Sequence, residues 1–234
     1  MTRRTIFSLW VVCLVAGFVL LMYDSFYVAP TAPPIDHISA TMPFFAGVSG
    51  QASHSSALFQ ASSAQVNESS LPILLFFAHP HCPCTRASLR EFTSILGRSA
   101  DIPKRVVIIF FHPDSSLTEV TATWAQTSST WQSAHLLGQR FSSLRIVTDT
   151  NGRIAQSYHI TNSGHTILAR ADGTILFQGG ITPSRGHEGE NAGKHAVLTL
   201  LKDPRHTLSS DFIISHTYTF GCSLTDSGVR DMRQ

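Results

Sequence analysis

An apolar run that leads directly into two cysteines and then into an amphipathic helix constrains the fold of this chain more than any other feature. Residues 71–78 are apolar throughout, which is typical of a strand at the buried centre of a sheet. The sequence HPHCPC follows at residues 79–84. A helix that begins near Cys84 is predicted next, because apolar residues recur at intervals of three and four. These residues are Leu89, Phe92, Ile95 and Leu96.

Two further apolar segments predict strands that run parallel to the first. Residues 105–111 form the second strand, and strand, helix and strand together are expected to make a right-handed crossover. Residues 116–119 have the spacing of a helix capping box, so another helix is predicted after them. Its large apolar residues are Val120, Trp124, Trp131 and Leu136. This helix leads to a third strand at residues 144–148.

The rest of the chain predicts an antiparallel hairpin between two helices. A turn at residues 149–152 is followed by a short helix. Residues 166–170 and 174–178 then form the two strands of the hairpin. The last helix, at residues 191–202, is expected to close the sheet on one face. Residues 212–220 alternate apolar and polar side chains, which predicts a weak extra strand.

The N-terminal segment predicts a membrane anchor. Residues 6–22 are almost wholly apolar and would span about 25 Å as a helix at 1.5 Å per residue. Arg3 and Arg4 precede this run and Asp24 is the first charge after it, so the N-terminus is expected in the cytoplasm. A cleaved signal peptide is the alternative. In either case the remainder is exported, and for a bacterial inner-membrane protein that means an oxidising periplasm.

These patterns divide the chain into five regions. They are a cytoplasmic N-terminus at residues 1–4, a transmembrane anchor at 5–23, a flexible tether at 24–67, a globular α/β domain at 68–205, and a C-terminal extension at 206–234. With 43% hydrophobic and 14% charged residues, the chain can bury a core. A net charge of +2 without a basic cluster argues against binding to nucleic acid.

The order of the predicted elements, with cysteines at the start of the first helix, resembles the thioredoxin fold. Asp149, Gly152 and the hairpin resemble the C-terminal half of membrane-tethered thiol oxidoreductases of the TlpA and peroxiredoxin-like kind. Four motifs are similar to those of the RedB-like proteins, a branch of the thioredoxin-like superfamily: residues 79–88, 179–182, 185–189 and 191–193. The resemblance covers residues 70–224 and implies a central mixed sheet flanked by helices, joined to one N-terminal transmembrane helix.

Cys82 and Cys84 are the candidate redox pair. A cysteine at a helix N-terminus lies beside unpaired backbone N–H groups and the positive end of the helix dipole, and both favour the thiolate. The resemblance implies that Cys82 attacks and Cys84 resolves, although the motif is one residue shorter than the C-x-x-C of thioredoxins. A disulfide across so tight a ring is expected to be easily reduced.

Histidines and an arginine belong to the same motif. His79 and His81 are expected to lower the pKa of Cys82 when charged, or to carry protons when neutral; the alternative is that they only cap the strand end. Arg86 follows in the first turn of the predicted helix. The resemblance includes Arg86 among the residues that support the site.

Thioredoxins have a cis-proline opposite their cysteines, and this chain has no proline there. Residues 161–166 read TNSGHT, so Gly164 or His165 is expected to face the thiols, without a cis peptide bond. His165 would then be a possible ligand for a soft metal ion. The alternative is that its side chain lies on the outer face of the strand.

Two further regions contribute candidates. Arg185 and His187 lie in a glycine-rich loop before the last helix, and the resemblance gives them a supporting role; the alternative is a plain surface loop with Asn191 as N-cap. Cys222 is the third exported cysteine, and three cysteines cannot all pair within one chain. It is expected to resolve Cys82 or Cys84, or to act as an extra metal ligand.

Two functions fit these residues. The first is a thiol-disulfide oxidoreductase that needs no cofactor, acts on a protein thiol or disulfide, and is held at the membrane by residues 5–23. The second is a copper-binding or metallochaperone module, similar in outline to the Sco-type copper chaperones, with Cys82, Cys84 and a histidine such as His81 as ligands. A peroxidase and a pure binding module are less well matched.

Overall fold

The computed structural model describes residues 10–18, 70–113, 124–203 and 214–224. The chain divides into two units, Met1–Pro30 and Thr31–Gln234. In the first unit, residues 10–18 form a helix whose side chains are exposed. Among the described residues, no helix has both the length and the apolar character needed to cross a membrane.

The predicted ends of the anchor, the tether and part of the C-terminal extension lie outside the described residues. Of the predicted anchor at residues 5–23, only residues 10–18 are described, and the tether at 24–67 is not described at all. The capping box at residues 116–119 also lies outside them. The five-region division of the chain therefore stays a prediction.

Five strands form one mixed sheet in the second unit. They are β1 (Ile73–Ala78), β2 (Arg105–His112), β3 (Leu144–Thr150), β4 (His165–Ala169) and β5 (Ile175–Gly180). Their order across the sheet is β3-β2-β1-β4-β5. The strands β1, β2 and β3 are parallel, with Phe76 opposite Ile108, whereas β4 and β5 run antiparallel to their neighbours.

Four helices flank this sheet: α1 (Pro83–Arg98), α2 (Ser129–Arg140), α3 (Arg153–Ser157) and α4 (Ala192–Lys202). The Ser128 hydroxyl caps α2 by accepting the Trp131 N–H, and the Asn191 side chain caps α4 by accepting the Lys194 N–H. The predicted N-cap role of Asn191 is thus confirmed. Sheet and helices match the thioredoxin-like fold that the order of elements predicted.

Apolar side chains on both faces of the central strand β1 form the core. Phe76 points to one face and stacks on Phe92 of α1, with ring centroids 4.8 Å apart. Phe77 points to the other face and meets the Tyr158 ring edge to face at 5.7 Å. All of β1 is buried because helices or loops cover both faces of the sheet, as a continuous apolar run requires.

Three details differ from the sequence predictions. Residues 149 and 150 extend β3, and the turn is confined to Asn151 and Gly152, which both have positive φ angles. Trp124 was expected on the same helical stretch as Trp131 but lies before α2, which begins at Ser129. The C-terminal strand is the third difference.

No strand forms in the described part of the predicted C-terminal strand, residues 214–220. His216 makes a single parallel bridge to Gln178 of β5, and Ser223 makes a single antiparallel bridge to Asn162. A longer ladder does not form because the backbone of this segment leaves the sheet edge and crosses over β5, where Gly179 and Gly180 have no side chain to obstruct it.

Candidate functional site

Cys82 lies at the carboxyl end of the central strand and begins the first helix. It is the N-cap of α1, with φ −86° and ψ 121°, and Pro83 occupies the first helical position, where its missing N–H costs nothing. The Thr85 N–H points from the first turn to the Cys82 sulfur. This contact lowers the pKa of Cys82, but Cys82 holds the N-cap position without a capping hydrogen bond from its side chain.

Two other thiols reach the Cys82 sulfur. Hydrogen bonds from the Cys222 and Cys84 thiols hold the pKa of Cys82 well below its usual range, and outweigh burial, which raises it. The Thr85 N–H and the Ser163 hydroxyl lower this pKa further. Of the three thiols, Cys82 therefore has the lowered pKa, and the Cys84 thiol lies beside it.

Cys84 and Cys222 are the protonated partners of this thiolate. The hydrogen bond to Cys82, followed by burial and the negative charge of Cys82, raises the pKa of each thiol. The positive charge of Arg185 opposes these effects at both thiols. Arg185 therefore lies at the site, as the glycine-rich motif predicted.

The three cysteines differ in their access to solvent. Only 1% of Cys82 and 8% of Cys84 is exposed, whereas Cys222 is an exposed residue. All three are free thiols in this structure. A molecule that approaches from outside meets Cys222 first.

The segment that carries Cys222 is attached to the loop before β4. The Ser163 N–H donates to the Cys222 carbonyl at 2.9 Å, and the Cys222 N–H donates to the Ser163 Oγ at 3.0 Å. A side chain at Gly221 would overlap with the Ser163 carbonyl. Residue 221 must therefore be glycine for the two backbones to come this close.

Ser163 is a site residue that sequence reasoning missed. The stretch TNSGHT drew attention to Gly164 and His165 because they occupy the place of the thioredoxin proline. A serine in a loop gives no signal by itself, since serine is common in loops. Gly221, directly before Cys222, indicated a close contact at this segment, because a glycine often marks the close approach of two backbone segments.

Gly164 and His165 behave differently from each other. Gly164 has φ 83°, its N–H donates to the Phe77 carbonyl at 2.7 Å, and it packs against Ser88 of α1. No cis peptide bond occurs among the described residues. His165 is buried and its Nδ1 shares a hydrogen bond with the Thr219 hydroxyl at 3.0 Å, on the C-terminal segment. Burial, together with the nearby His216, lowers the pKa of His165 to about 3.

The two histidines of the HPHCPC motif also have different surroundings. The His79 ring stacks on Phe111 at 5.5 Å, and its Nδ1 accepts the His81 N–H. Burial lowers the pKa of His79, while the negative charge of Cys82 opposes this. The exposed His81 ring instead packs on Trp124 at 4.6 Å and shares a hydrogen bond with its carbonyl at 2.8 Å.

The remaining predicted residues lie at the rim of the site. Arg86 is exposed on the first turn of α1 and lines a shallow cleft with Pro80, Cys82 and Ser128. His187 is exposed, and its N–H donates to the Ser184 carbonyl in a turn. Neither makes a contact that would assign it a chemical role.

A buried ion pair that was not predicted joins α4 to α1 directly after the glycine-rich loop. Glu91 Oε2 lies 2.7 Å from Lys194 Nζ, and these side chains are only 6% and 7% exposed. Glu91 Oε1 also accepts the Gly189 N–H at 2.6 Å. The loop is thereby fixed where the Gly186 N–H hydrogen-bonds to the Cys84 sulfur.

Within the described part of the chain, no group of three or more His, Cys, Asp or Glu side chains is arranged to hold a metal ion. His81 and His165, both possible ligands from the sequence, hydrogen-bond to Trp124 and Thr219. The three thiols form a hydrogen-bonded group around Cys82 instead.

No protein-family model matches this chain, and no curated protein sequence matches it. A hypothetical protein from Sinorhizobium meliloti is similar in structure, with a TM-score of 0.48 and 16% identity over 67% of this chain and 80% of that chain. An uncharacterized conserved protein from Geobacillus kaustophilus has a TM-score of 0.47 and 14% identity, over 86% and 92%. A secreted Mycobacterium tuberculosis disulfide oxidoreductase homologous to E. coli DsbE has a TM-score of 0.36 and 13% identity, over 57% and 81%. The function proposed below rests on the cysteine site of this chain itself.

Proposed function

We propose that this chain is a thiol-disulfide oxidoreductase of the thioredoxin-like superfamily, of the RedB-like branch, in which Cys82 is the reactive thiol. The observation that supports it is the surroundings of Cys82. Cys82 is the N-cap residue of α1, and hydrogen bonds from the Cys222 and Cys84 thiols lower the pKa of its thiol. A thiolate so stabilised is both the attacking group and the better leaving group of thiol-disulfide exchange.

The exchange needs no cofactor. The Cys82 thiolate attacks one sulfur of a partner disulfide, and the other partner sulfur leaves as a thiolate that takes up a proton. A second thiol of this chain then attacks the Cys82 sulfur, which releases the partner and leaves an internal disulfide. The CPC motif predicts that this second thiol is Cys84. The same steps in reverse transfer a disulfide to a partner dithiol.

We also propose that the protein acts at the periplasmic side of the bacterial inner membrane. The support is the apolar run at residues 6–22 with Arg3 and Arg4 before it. In the described helix at residues 10–18, large apolar side chains such as Trp10 and Phe18 are more than half exposed. Residues 5–23 would serve as an uncleaved signal anchor, with residues 68–205 as the catalytic domain beyond the tether.

The test is the replacement of Cys82. Cys82→Ser should abolish reduction of insulin disulfides by the protein, and should remove the thiolate absorbance near 240 nm at neutral pH. Cys13→Ser is the matched control, because it removes a thiol from the predicted anchor, and it should leave both readouts unchanged. Retention of insulin reduction by Cys82→Ser would show that the reactive thiol is assigned wrongly.

Copper binding is the second candidate, because the Cys84 and Cys222 thiols both hydrogen-bond to Cys82, although the side chains would have to move to hold a metal ion together. Thiolates favour Cu(I). The ligand set from the sequence, Cys82, Cys84 and His81, would need the His81 ring to leave Trp124. Copper analysis of the protein purified with reductant separates the two functions. Stoichiometric copper with free thiols would favour the metal carrier, and metal-free protein with an internal disulfide would favour the oxidoreductase.

A further inference from the structure

Backbone hydrogen bonds hold Cys222 against Ser163. The Ser163 N–H donates to the Cys222 carbonyl at 2.9 Å, and the Cys222 N–H donates to the Ser163 Oγ at 3.0 Å. The Ser163 hydroxyl and the Cys222 thiol both hydrogen-bond to the Cys82 sulfur. Ser163 therefore lies next to both cysteines and holds the segment of Cys222 at the site.

The residues on both sides of Cys222 hold the segment in place. The Leu224 N–H donates to the Thr161 carbonyl at 2.8 Å, and the Leu224 side chain is buried in the core beneath β1. On the other side, Gly221 allows the backbone to touch Ser163. Cys222 thus projects from a short stretch that is anchored at each end.

Cys84 is less well placed to form a disulfide with Cys82. It lies in the first turn of α1, two residues after the N-cap. The two thiols meet, but a disulfide between residues only two positions apart closes a small, strained ring, so a Cys82–Cys84 bond is expected to distort this turn. Cys222 approaches from another segment, and a bond to it leaves α1 intact.

Cys84 and Cys222 also differ in the exposure of their residues to solvent. Cys84 is 8% exposed and lies beneath the loop that carries Gly186, whereas Cys222 is exposed. Cys82 itself is 1% exposed. Of the three residues, Cys222 is therefore the one that a partner protein can contact at the surface.

We propose that the working disulfide joins Cys82 to Cys222, and that Cys222 is the sulfur at which a dithiol of a partner protein is oxidised. This inference rests on the proposed function and specifies its internal disulfide, its substrate class and the direction of electron flow. Cys84 then takes the role of a hydrogen-bond donor that stabilises Cys82 when it leaves.

The reaction balances without a cofactor. A partner thiolate attacks the Cys222 sulfur, the Cys82–Cys222 bond breaks, and Cys82 leaves with the electron pair as its thiolate. The second partner thiolate then attacks the partner sulfur of this mixed disulfide, and Cys222 leaves and takes up a proton. The partner dithiol has lost two electrons, which reside on Cys82 and Cys222. Exchange with the disulfide of a second protein restores the Cys82–Cys222 bond.

The test is to map the disulfide in the full chain carrying Cys13→Ser, so that only three thiols remain. The protein is oxidised with oxidised glutathione, free thiols are alkylated, and linked peptides are identified by mass spectrometry without reduction. We expect a Cys82–Cys222 link, which persists after Cys84→Ser and is lost after Cys222→Ser. Oxidation of a dithiol peptide by each oxidised variant is measured in parallel, with thermal unfolding as a control for folding.

Disulfide mapping and the dithiol-oxidation assay together test the Cys82–Cys222 disulfide separately from the oxidoreductase function. A Cys82–Cys84 link in the parent protein, with dithiol oxidation retained by Cys222→Ser and lost with Cys84→Ser, would overturn the inference and leave the oxidoreductase intact. A parent protein that forms the Cys82–Cys222 link but exchanges it with no dithiol or disulfide would contradict the proposed function. Loss of dithiol oxidation with Cys222→Ser, at unchanged unfolding temperature, supports both.

Discussion

Two segments outside the sheet cover the cysteines, and different interactions hold them there. The glycine-rich loop at residues 185–191 is held by the Glu91 carboxylate, which accepts the Gly189 N–H and pairs with Lys194 of α4. The C-terminal segment at residues 214–224 is held by backbone contacts to the loop before β4. The first supplies Arg185 and the Gly186 N–H to Cys84, and the second supplies Cys222 itself.

The glycine-rich loop therefore supports the site, whereas the C-terminal segment supplies one of its thiols. The loop contacts Cys84, the buried thiol. It is attached through Glu91, a buried side chain that also pairs with Lys194. The C-terminal segment brings the thiol that is exposed, and its attachment requires only that two backbones come close. Substitutions that weaken one segment while sparing the other should therefore separate stability from disulfide formation.

The largest effect on stability is expected on the loop side. Glu91→Gln removes the buried carboxylate at 2.7 Å from the Lys194 ammonium and leaves it only the exposed Glu190 at 3.1 Å, so we expect the free energy of unfolding to fall by about 3 kcal/mol, the lower end for a broken buried pair. Urea unfolding should show this loss. The matched control is Arg90→Gln on the same helix, where the pair with Glu188 is 64% and 42% exposed and contributes less than about 1 kcal/mol. Equal losses in the two variants would mean that the Glu91 pair does not hold the loop.

The next effect is expected at the backbone contact of the C-terminal segment. Gly221→Ala places a methyl group against the Ser163 carbonyl, so the segment must move, and overpacking of this kind costs about 1–3 kcal/mol. The Cys82–Cys222 link should become a minor product in peptide mapping. Gly97→Ala on α1 is the control, because its methyl group meets no atom within 4 Å and alanine favours a helix. An unchanged link in Gly221→Ala would show that Cys222 is positioned in another way.

A smaller loss of stability is expected at acidic pH, through His165, which contacts Thr219 of the C-terminal segment. His165 is neutral in the folded protein because burial lowers its pKa from 6.5 to about 3, so the unfolded chain binds its proton at higher pH. Stability is therefore complete above about pH 6.5 and falls as the pH decreases, by about 1 kcal/mol down to pH 5.5. Denaturant unfolding at both pH values tests this. His165→Gln should flatten the dependence; an equally steep fall in that variant would point to another group.

The smallest effect is expected from Arg185. Its charge opposes the rise of the Cys222 pKa, so Arg185→Ala should raise that pKa and slow alkylation of Cys222 at pH 8. An exposed charge of this kind corresponds to a rate change of about two- to fivefold. Stopped-flow alkylation measures it, and unfolding in urea should be unchanged. A faster reaction in Arg185→Ala would mean that the side chain shields Cys222 sterically.

Most of the fold could be predicted because its signals are local. The apolar run of β1, the helical spacing of Phe92 and Ile95 in α1, and the N-cap Asn191 each depend on neighbouring residues only. The same holds for Cys82 at the start of α1. The helix N-terminus favours a thiolate there, although the largest effect on the pKa of Cys82 is the hydrogen bond from Cys222, which comes from a distant segment.

The other features of the fold and the site could not be predicted, because they depend on contacts between distant parts of the chain. The alternating pattern near His216 predicted a strand, yet only the crossing over Gly179 and Gly180 decides that none forms there. His165 was expected near the thiols, but the hydroxyl that it contacts belongs to Thr219. No spacing within one segment could indicate that Ser163 joins Cys222 to Cys82.

The Ser163 hydroxyl has a consequence for observing the redox state. It hydrogen-bonds to the Cys82 sulfur while it accepts the Cys222 N–H. A disulfide sulfur is a much weaker acceptor than a thiolate, so oxidation of Cys82 frees this hydroxyl to turn. The amide proton of Cys222 therefore reports the electron count at Cys82 through its chemical shift and its exchange with solvent, without any added probe.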